Sequence, residues 1–159
     1  MHDPRLLIRR LAEAHVDFVL VGGLAGIVQG MTRVTQDVDI CAALLEANLA
    51  RLIDALAGTN PRFRGPPRLP FPADAGALLG YKNLYLETDD GELDVLGEIE
   101  GIGSFEQVKA RSVALPLFGS AILSLDLDAL IDAKRALNRE KDRGDLRELE
   151  LIRAKRHRS

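Results

Sequence analysis

Tryptophan is absent from this chain of 159 residues, and all aromatic residues together make up 4%. Stacking platforms for single-stranded nucleic acid are therefore not evident. Cysteine occurs once, at Cys41, which excludes an internal disulfide and any cysteine-based metal cluster. Following Ile40 in a predicted strand, Cys41 reads as a small core residue rather than a nucleophile. No apolar run approaches the length of a membrane span. Met1-His2-Asp3-Pro4 leads straight into an amphipathic helix without a signal-peptide pattern, so a cytoplasmic protein without membrane contact is expected. A dominant charge is also missing, since 21 Lys and Arg against 24 Asp and Glu leave −3, which gives no global push toward nucleic acid.

What is present is ordinary in bulk and uneven in detail. Apolar residues at 47% and charged residues at 28% suit a folded globular chain, and the length fits one domain with a real hydrophobic core. Between Lys134 and Arg158 there are ten Lys and Arg against five Asp and Glu, so this stretch carries +5 and the rest of the chain −8. Such a split suits an acidic site facing a basic segment that can meet phosphate.

Periodicity and punctuation divide the chain into alternating elements. Asp3-Pro4 starts a helix that reaches about His15, with aspartate as cap and proline in the first turn. A strand is predicted over 16–21, a short helix over 23–30, a second strand over 34–42 and an amphipathic helix over 44–56. Five of the seven prolines, with Arg62, Arg64 and Arg68, fall within 60–72. This stretch is expected to be a solvated loop outside the core, the alternative being a basic flap that touches substrate. A hairpin follows over 84–88 and 92–96, turning at Asp89-Asp90-Gly91. Beyond it come a helix over 104–110 capped by Ser104, a hairpin around Phe118-Gly119, and helices over 127–137 and 146–152. No internal repeat and no second domain are evident.

The chemically loaded stretch is Val19 to Cys41. Asp37 and Asp39 are spaced to share one face of a strand, with Val38 and Ile40 directed to the core. Two like charges on one face repel, and burial raises the penalty, so a cation between them is the natural remedy. Mg2+ prefers carboxylate oxygens and commonly holds phosphate at the same time. Bare Asp-x-Asp pairs also occur on solvated strand faces where they bind nothing. Gly22-Gly23 upstream shifts that balance, because glycines permit a tight turn and let backbone N–H groups approach a ligand. Asp94, central in a later strand, supplies a third carboxylate where an unpaired charge would be unfavourable.

Gly22-Gly23, Asp37-Val38-Asp39 and Asp94 together resemble the nucleotidyltransferase superfamily of DNA polymerase beta and the antibiotic nucleotidyltransferases. The run Asp132-Ala133-Lys134 through Arg139-Glu140-Lys141-Asp142-Arg143-Gly144-Asp145-Leu146 resembles the C-terminal signature of the AbiEii-like and MenT-like toxin nucleotidyltransferases. Arg33 and Thr35 match the Arg-x-Thr-x-Asp-x-Asp form found there. The resemblance spans about 16–149.

It implies an α/β (α+β) nucleotidyltransferase fold, a mixed sheet flanked by helices, as a minimal single domain over 1–159. It implies a Mg2+- or Mn2+-dependent transfer of a nucleoside monophosphate from an NTP to a hydroxyl of tRNA, protein or a small molecule. A role as the toxin of a toxin–antitoxin pair, with an antitoxin protein as partner, comes from the same resemblance. Gly22 and Gly23 would contact the triphosphate, Asp37 and Asp39 the metal, and Asp94 would be metal ligand or base. Lys134 and Lys141 would lie near the phosphates. Arg33 would neutralise phosphate or pair with Asp37 when metal is absent. Asp142 and Asp145 would anchor the helix junction, or simply be a cap and a surface ion pair. The last residues, 153–159, are expected to form a solvated, disordered basic tail, the alternative being contact with RNA. A nucleotide-binding module or complex subunit without turnover is the rival reading, against which the third carboxylate argues.

Overall fold

The computed structural model describes residues 2–158. Asp3 caps the first helix, α1 (Pro4–Glu13), through the Arg5 amide, with Pro4 in its first turn. The apolar strand β1 (Phe18–Val21) runs without a connecting loop into the short helix α2 (Gly22–Val28). Strand β2 (Val38–Ala42) and helix α3 (Glu46–Leu56) follow. Strands β4 (Asn83–Thr88) and β5 (Gly91–Leu96) form a tight hairpin, after β3 (Arg62–Phe63) has added a short edge. A small ribbon, β6 (Glu98–Ile99) with β7 (Gly103–Ser104), leads to α4 (Phe105–Ala110), where Ser104 and Gln107 close a capping box. The hairpin β8 (Ser112–Leu117) and β9 (Ser120–Leu125) turns at Phe118-Gly119, both at positive φ as a two-residue hairpin turn demands. Helices α5 (Leu127–Leu137) and α6 (Arg143–Arg158) end the chain, joined by a 3-10 turn at Glu140–Asp142.

Seven strands make one mixed sheet in the order β3-β4-β5-β2-β1-β9-β8. The pairs β2–β5 and β1–β9 are parallel, and β1–β2 and the hairpins are antiparallel. One face of the β4-β5-β2 region is apolar except at Thr88, whose hydroxyl donates to Gly91 O. Val38, Ile40, Leu84, Leu86, Leu93 and Val95 are 0–1% exposed there. Leu7 and Leu11 of α1 and Leu49, Leu52 and Leu56 of α3 complete that core. With those side chains turned inward, the alternate residues Asp39, Tyr85, Glu92 and Asp94 must share the opposite face.

The segment over 60–72 departs from the expected loop. Phe71 is buried, and the Phe63 ring meets Phe71 edge-on at 5.9 Å and stacks on Tyr81 at 5.8 Å. The prolines do not prevent pairing, because the N–H groups used belong to other residues. Phe63 donates to Leu69 O, Arg64 to Tyr85 O and Phe71 to Pro61 O, at 2.8 to 2.9 Å. Proline is tolerated at a sheet edge for this reason.

The basic end is a second departure, since α6 continues in helix to Arg158 and Ser159 lies outside the described residues. Arg156 donates to Gln29 Oε1 at 2.9 Å and to Gln29 O at 2.8 Å, and Arg153 pairs with Asp128 at 3.4 Å. Gln29 is itself buried and donates to Leu125 O. The last turns are thereby tied to α2 and β9. Among the described residues, no helix is long and apolar enough to cross a membrane.

Phe71→Ala is expected to lower stability by about 2–4 kcal/mol in urea unfolding. Amide exchange at Phe63 and Arg64 should accelerate more than exchange in α6. Uniform acceleration would mean that Phe71 does not anchor this segment in particular.

Candidate functional site

The register of the sheet builds the site. Asp39 and Asp94 are direct neighbours across the parallel pair β2–β5, and Val21 faces Asp39 from β1. Their side chains therefore emerge side by side on the polar face. Asp37 lies one residue before β2 and is exposed, its N–H donating to Thr35 Oγ1 at 3.3 Å. Strand pairing starts at Val38 rather than 34, because Thr32 and Arg33 are held elsewhere: Thr32 bonds Glu148 and Arg33 pairs with Asp145.

Gly22 makes the close approach possible. It sits at φ +68°, and a Cβ there would come within 2.3 Å of Asp39 Oδ2. Any side chain at this position would collide with the carboxylate and adopt an unfavourable backbone. Gly23 is less confined, with Thr35 Cγ2 3.2 Å from where its Cβ would stand.

The electrostatics follow from this crowding. Burial, then the charges of Asp94 and Asp37, raise the Asp39 carboxyl to about 6, and a hydrogen bond shared with Asp94 adds to the shift. The nearby guanidinium of Arg64 partly offsets it. Arg64 was not among the residues expected to serve the site. It follows β3, and its N–H donates to Tyr85 O, placing it in one cross-strand row with Tyr85, Asp94 and Asp39. From there its side chain crosses the Tyr85 ring at 5.8 Å and reaches Asp94 at 2.5 Å and Glu92 at 3.0 Å. The alternation Arg62-Phe63-Arg64 is the signal that could have found it, since it carries the period of a strand with a polar face.

Across the cleft stand the cations of α5 and the 3-10 turn. Lys134 reaches Asp142 at 3.0 Å and Asp145 at 3.4 Å. Arg139 also pairs with Asp142, and Arg33 with Asp145 at 2.5 Å rather than with Asp37. Asp142 is 6% exposed. Burial opposes its charge, but bonds from Arg139 and Lys134 prevail and hold the carboxyl below its usual range. Lys141 is exposed and forms no ion pair among the described residues.

Two cavities of about 500 and 420 Å³ meet here and share Gly22, Asp39, Lys134, Arg139 and Lys141. The larger has an apolar wall from Leu96, Ile99, Leu125, Leu130 and Leu137. The smaller is charged throughout, from Arg33 and Asp37 to Asp142 and Asp145. Such a cleft suits a ligand with one ionic and one apolar end. Cys41 takes no part: burial, with Glu98 nearby, pushes its thiol up to about 12.

The donor chemistry fits a hard divalent cation, since Asp37, Asp39 and Asp94 offer only carboxylate oxygens. Burial first, and then the neighbouring charges of Asp94 and Asp37, disfavour a bare carboxylate at Asp39. Among the described residues, however, no three acidic, His or Cys side chains stand as a closed metal cage. Asp94 is instead engaged by Arg64.

Among solved structures, the chain is similar to the crystal structure of a "putative nucleotidyltransferase" from Thermotoga maritima, with a TM-score of 0.56 and 18% identity. The likeness covers 93% of this chain and 94% of the other. The two share the nucleotidyltransferase-like fold, a mixed central sheet flanked by helices. No protein-family model and no curated protein matches the sequence.

Asp39→Asn removes a charge that the fold disfavours. The raised carboxyl contributes stability below the unfolded value of 3.8, and this is lost as pH rises through about 6. At pH 8 and without metal, the variant should be more stable than the parent by about 1–3 kcal/mol, with the gain fading as pH falls toward 4. Thermal unfolding across this range checks it, and a pH-independent difference would contradict the assigned cause. Gly22→Ala should instead destabilise at every pH, by about 1–3 kcal/mol.

Proposed function

We propose that the chain is a divalent-metal-dependent nucleotidyltransferase that moves a nucleoside monophosphate from an NTP to a hydroxyl acceptor and releases pyrophosphate. The observation that carries this reading is the Asp39–Asp94 pair, in register on adjacent parallel strands beside the Gly22 turn. The nucleotidyltransferase-like fold supports it.

Asp37 and Asp39, with Asp94, would hold the cation, Mg2+ or Mn2+. That cation supplies neutralisation of phosphate charge and acidification of an acceptor hydroxyl. Gly22 and Gly23 line the smaller cavity, where their backbone N–H groups would meet a triphosphate. Lys141 is available to pair with phosphate as it stands. Lys134 and Arg33 reach phosphate by exchanging carboxylate partners, because Asp142 and Asp145 hold them now. The apolar wall of the larger cavity is suited to cover a nucleobase.

In the transfer, an acceptor oxygen forms a bond to the α-phosphorus while the bond to the β-phosphate bridging oxygen breaks. The acceptor proton passes to a carboxylate, for which Asp94 is the candidate, and pyrophosphate leaves toward Lys134 and Lys141. Most of the acceleration would come from positioning and from charge already in place, since little covalent chemistry falls to the protein.

The acceptor belongs to the proposal too. The resemblance of Lys134 to Leu146 to the AbiEii-like and MenT-like toxins favours tRNA or protein over a small molecule. It also suggests a toxin whose activity a partner antitoxin restrains.

Incubation with each labelled NTP, Mg2+ and total tRNA or cell protein tests the reading. Label should move to a macromolecule, and the transfer should fall at least about a thousandfold in Asp39→Ala. Lys134→Ala should reduce it by about ten- to a hundredfold, mainly through nucleotide binding. NTP binding without transfer to any acceptor would instead establish a binding module.

A further inference from the structure

The proline-rich edge segment and the acidic row meet at Arg64, and no part of the proposed transfer uses it. Asp37, Asp39, Glu92 and Asp94 stand along this face of the sheet, and Glu87, opposite Glu92, is held separately by Arg62. Among the described residues, Arg64 is the one cation that pairs with any of these four, meeting Asp94 at 2.5 Å and Glu92 at 3.0 Å. Its side chain is 30% exposed. The contact is built rather than incidental. The backbone of Arg64 is fixed to Tyr85, its guanidinium lies over the Tyr85 ring, and Phe63 beside it is locked between Phe71 and Tyr81.

We infer that Arg64 is a positioning residue that serves as the site's internal counter-ion, holding Asp94 until a divalent cation binds and displaces it. This rests on the reading that Asp39 and Asp94 take the cation. A divalent ion that takes the Asp94 oxygen bonded by Arg64 must displace the guanidinium, and the two cations repel across the carboxylate. Arg64 has a retreat on the same face, because Glu92 can retain it when Asp94 lets go. The exchange therefore requires only a side-chain swing, although it loosens the hold of the segment over 61–72 on the sheet. A purely structural Arg64 would tie the edge strand down and leave cation binding unchanged.

Mn2+ titration without nucleotide, followed by electron paramagnetic resonance, separates these possibilities. Arg64→Met keeps the stem that packs on Tyr85 and removes the charge, so it should bind Mn2+ at least about tenfold tighter than the parent. Arg64→Lys keeps the charge and loses the fork that spans two carboxylates, so it should fall between them. If the Met variant does not fold, the Lys variant alone carries the comparison. The chain offers a second readout, because it has no Trp and only two Tyr, Tyr81 and Tyr85, both beside this segment. Mg2+ should change tyrosine emission in the parent and leave Arg64→Met largely unchanged.

Equal or weaker Mn2+ binding in both Arg64 variants, with binding lost in Asp39→Asn, overturns the counter-ion role alone. Mg2+-insensitive tyrosine emission in a parent that binds Mn2+ overturns the coupling to the segment. If Asp39→Asn binds Mn2+ as tightly as the parent, the cation reading falls and the counter-ion role falls with it.

Discussion

Two carboxylates held side by side by a parallel strand pair set the terms for everything around them. Asp39 and Asp94 cannot separate without breaking the β2–β5 register, and that register is fixed by Val38, Ile40, Leu93 and Val95 on the buried face. A slip of one residue would drive the acids into the apolar core and the aliphatic side chains into solvent. The core thus enforces an electrostatic conflict that the polar face must resolve. Two partial solutions follow: the Asp39 carboxyl is pushed toward its neutral form, and a guanidinium is brought in from the sheet edge to Asp94.

The same logic explains the placement of the other elements. Gly22 lies where β1 turns into α2, directly against Asp39, so the helix can start there only if its first residue has no side chain. Helices α5 and α6 meet at the 3-10 turn, and the buried Asp142 joins their cations through Lys134 and Arg139. Because Gln29 of the α2 end also receives Arg156, the basic end of α6 stays anchored close to the helix that carries the glycines.

Much of this was legible in residue order, and the failures have physical causes. Alternation in Leu84 to Leu96 and the Asp-Gly turn identified the β4–β5 hairpin, because local pairing and local polarity agree there. The pairing of Asp39 with Asp94 could be stated only as convergence, since periodicity does not reveal which strands become neighbours. The segment over 60–72 misled because proline density measures missing donors, whereas the fold there uses the donors of Phe63, Arg64 and Phe71. Arg64 was hidden for the same reason. The basic end looked like a solvated tail because its charges dominate composition, while its anchors, Gln29 and Asp128, lie far away in the chain. Of the two expectations for Arg33, phosphate or Asp37, the second fails, because Asp145, distant in sequence, is the carboxylate that it meets.

The cleft is unbalanced on both sides, and the two imbalances are complementary. On the sheet side, Asp37, Asp39, Glu92 and Asp94 share one guanidinium. On the helix side, Arg33, Lys134 and Arg139 share Asp142 and Asp145, and Lys141 adds a further positive charge. A simple anion would relieve the second and aggravate the first, and a simple cation would do the reverse. A metal–triphosphate complex brings both charges in one ligand, with the cation toward the carboxylates and the phosphates toward the lysines and arginines. The rival reading, a pocket that binds a nucleotide without turnover, explains the helix side well. Binding of a metal–triphosphate complex alone would also employ Asp37 and Asp39, so the two readings part at Asp94, the third carboxylate, to which the proposed transfer gives a proton to accept. In the proposed transfer, the acidic crowding would hold the cation and so stabilise the charge that develops at the reacting phosphorus.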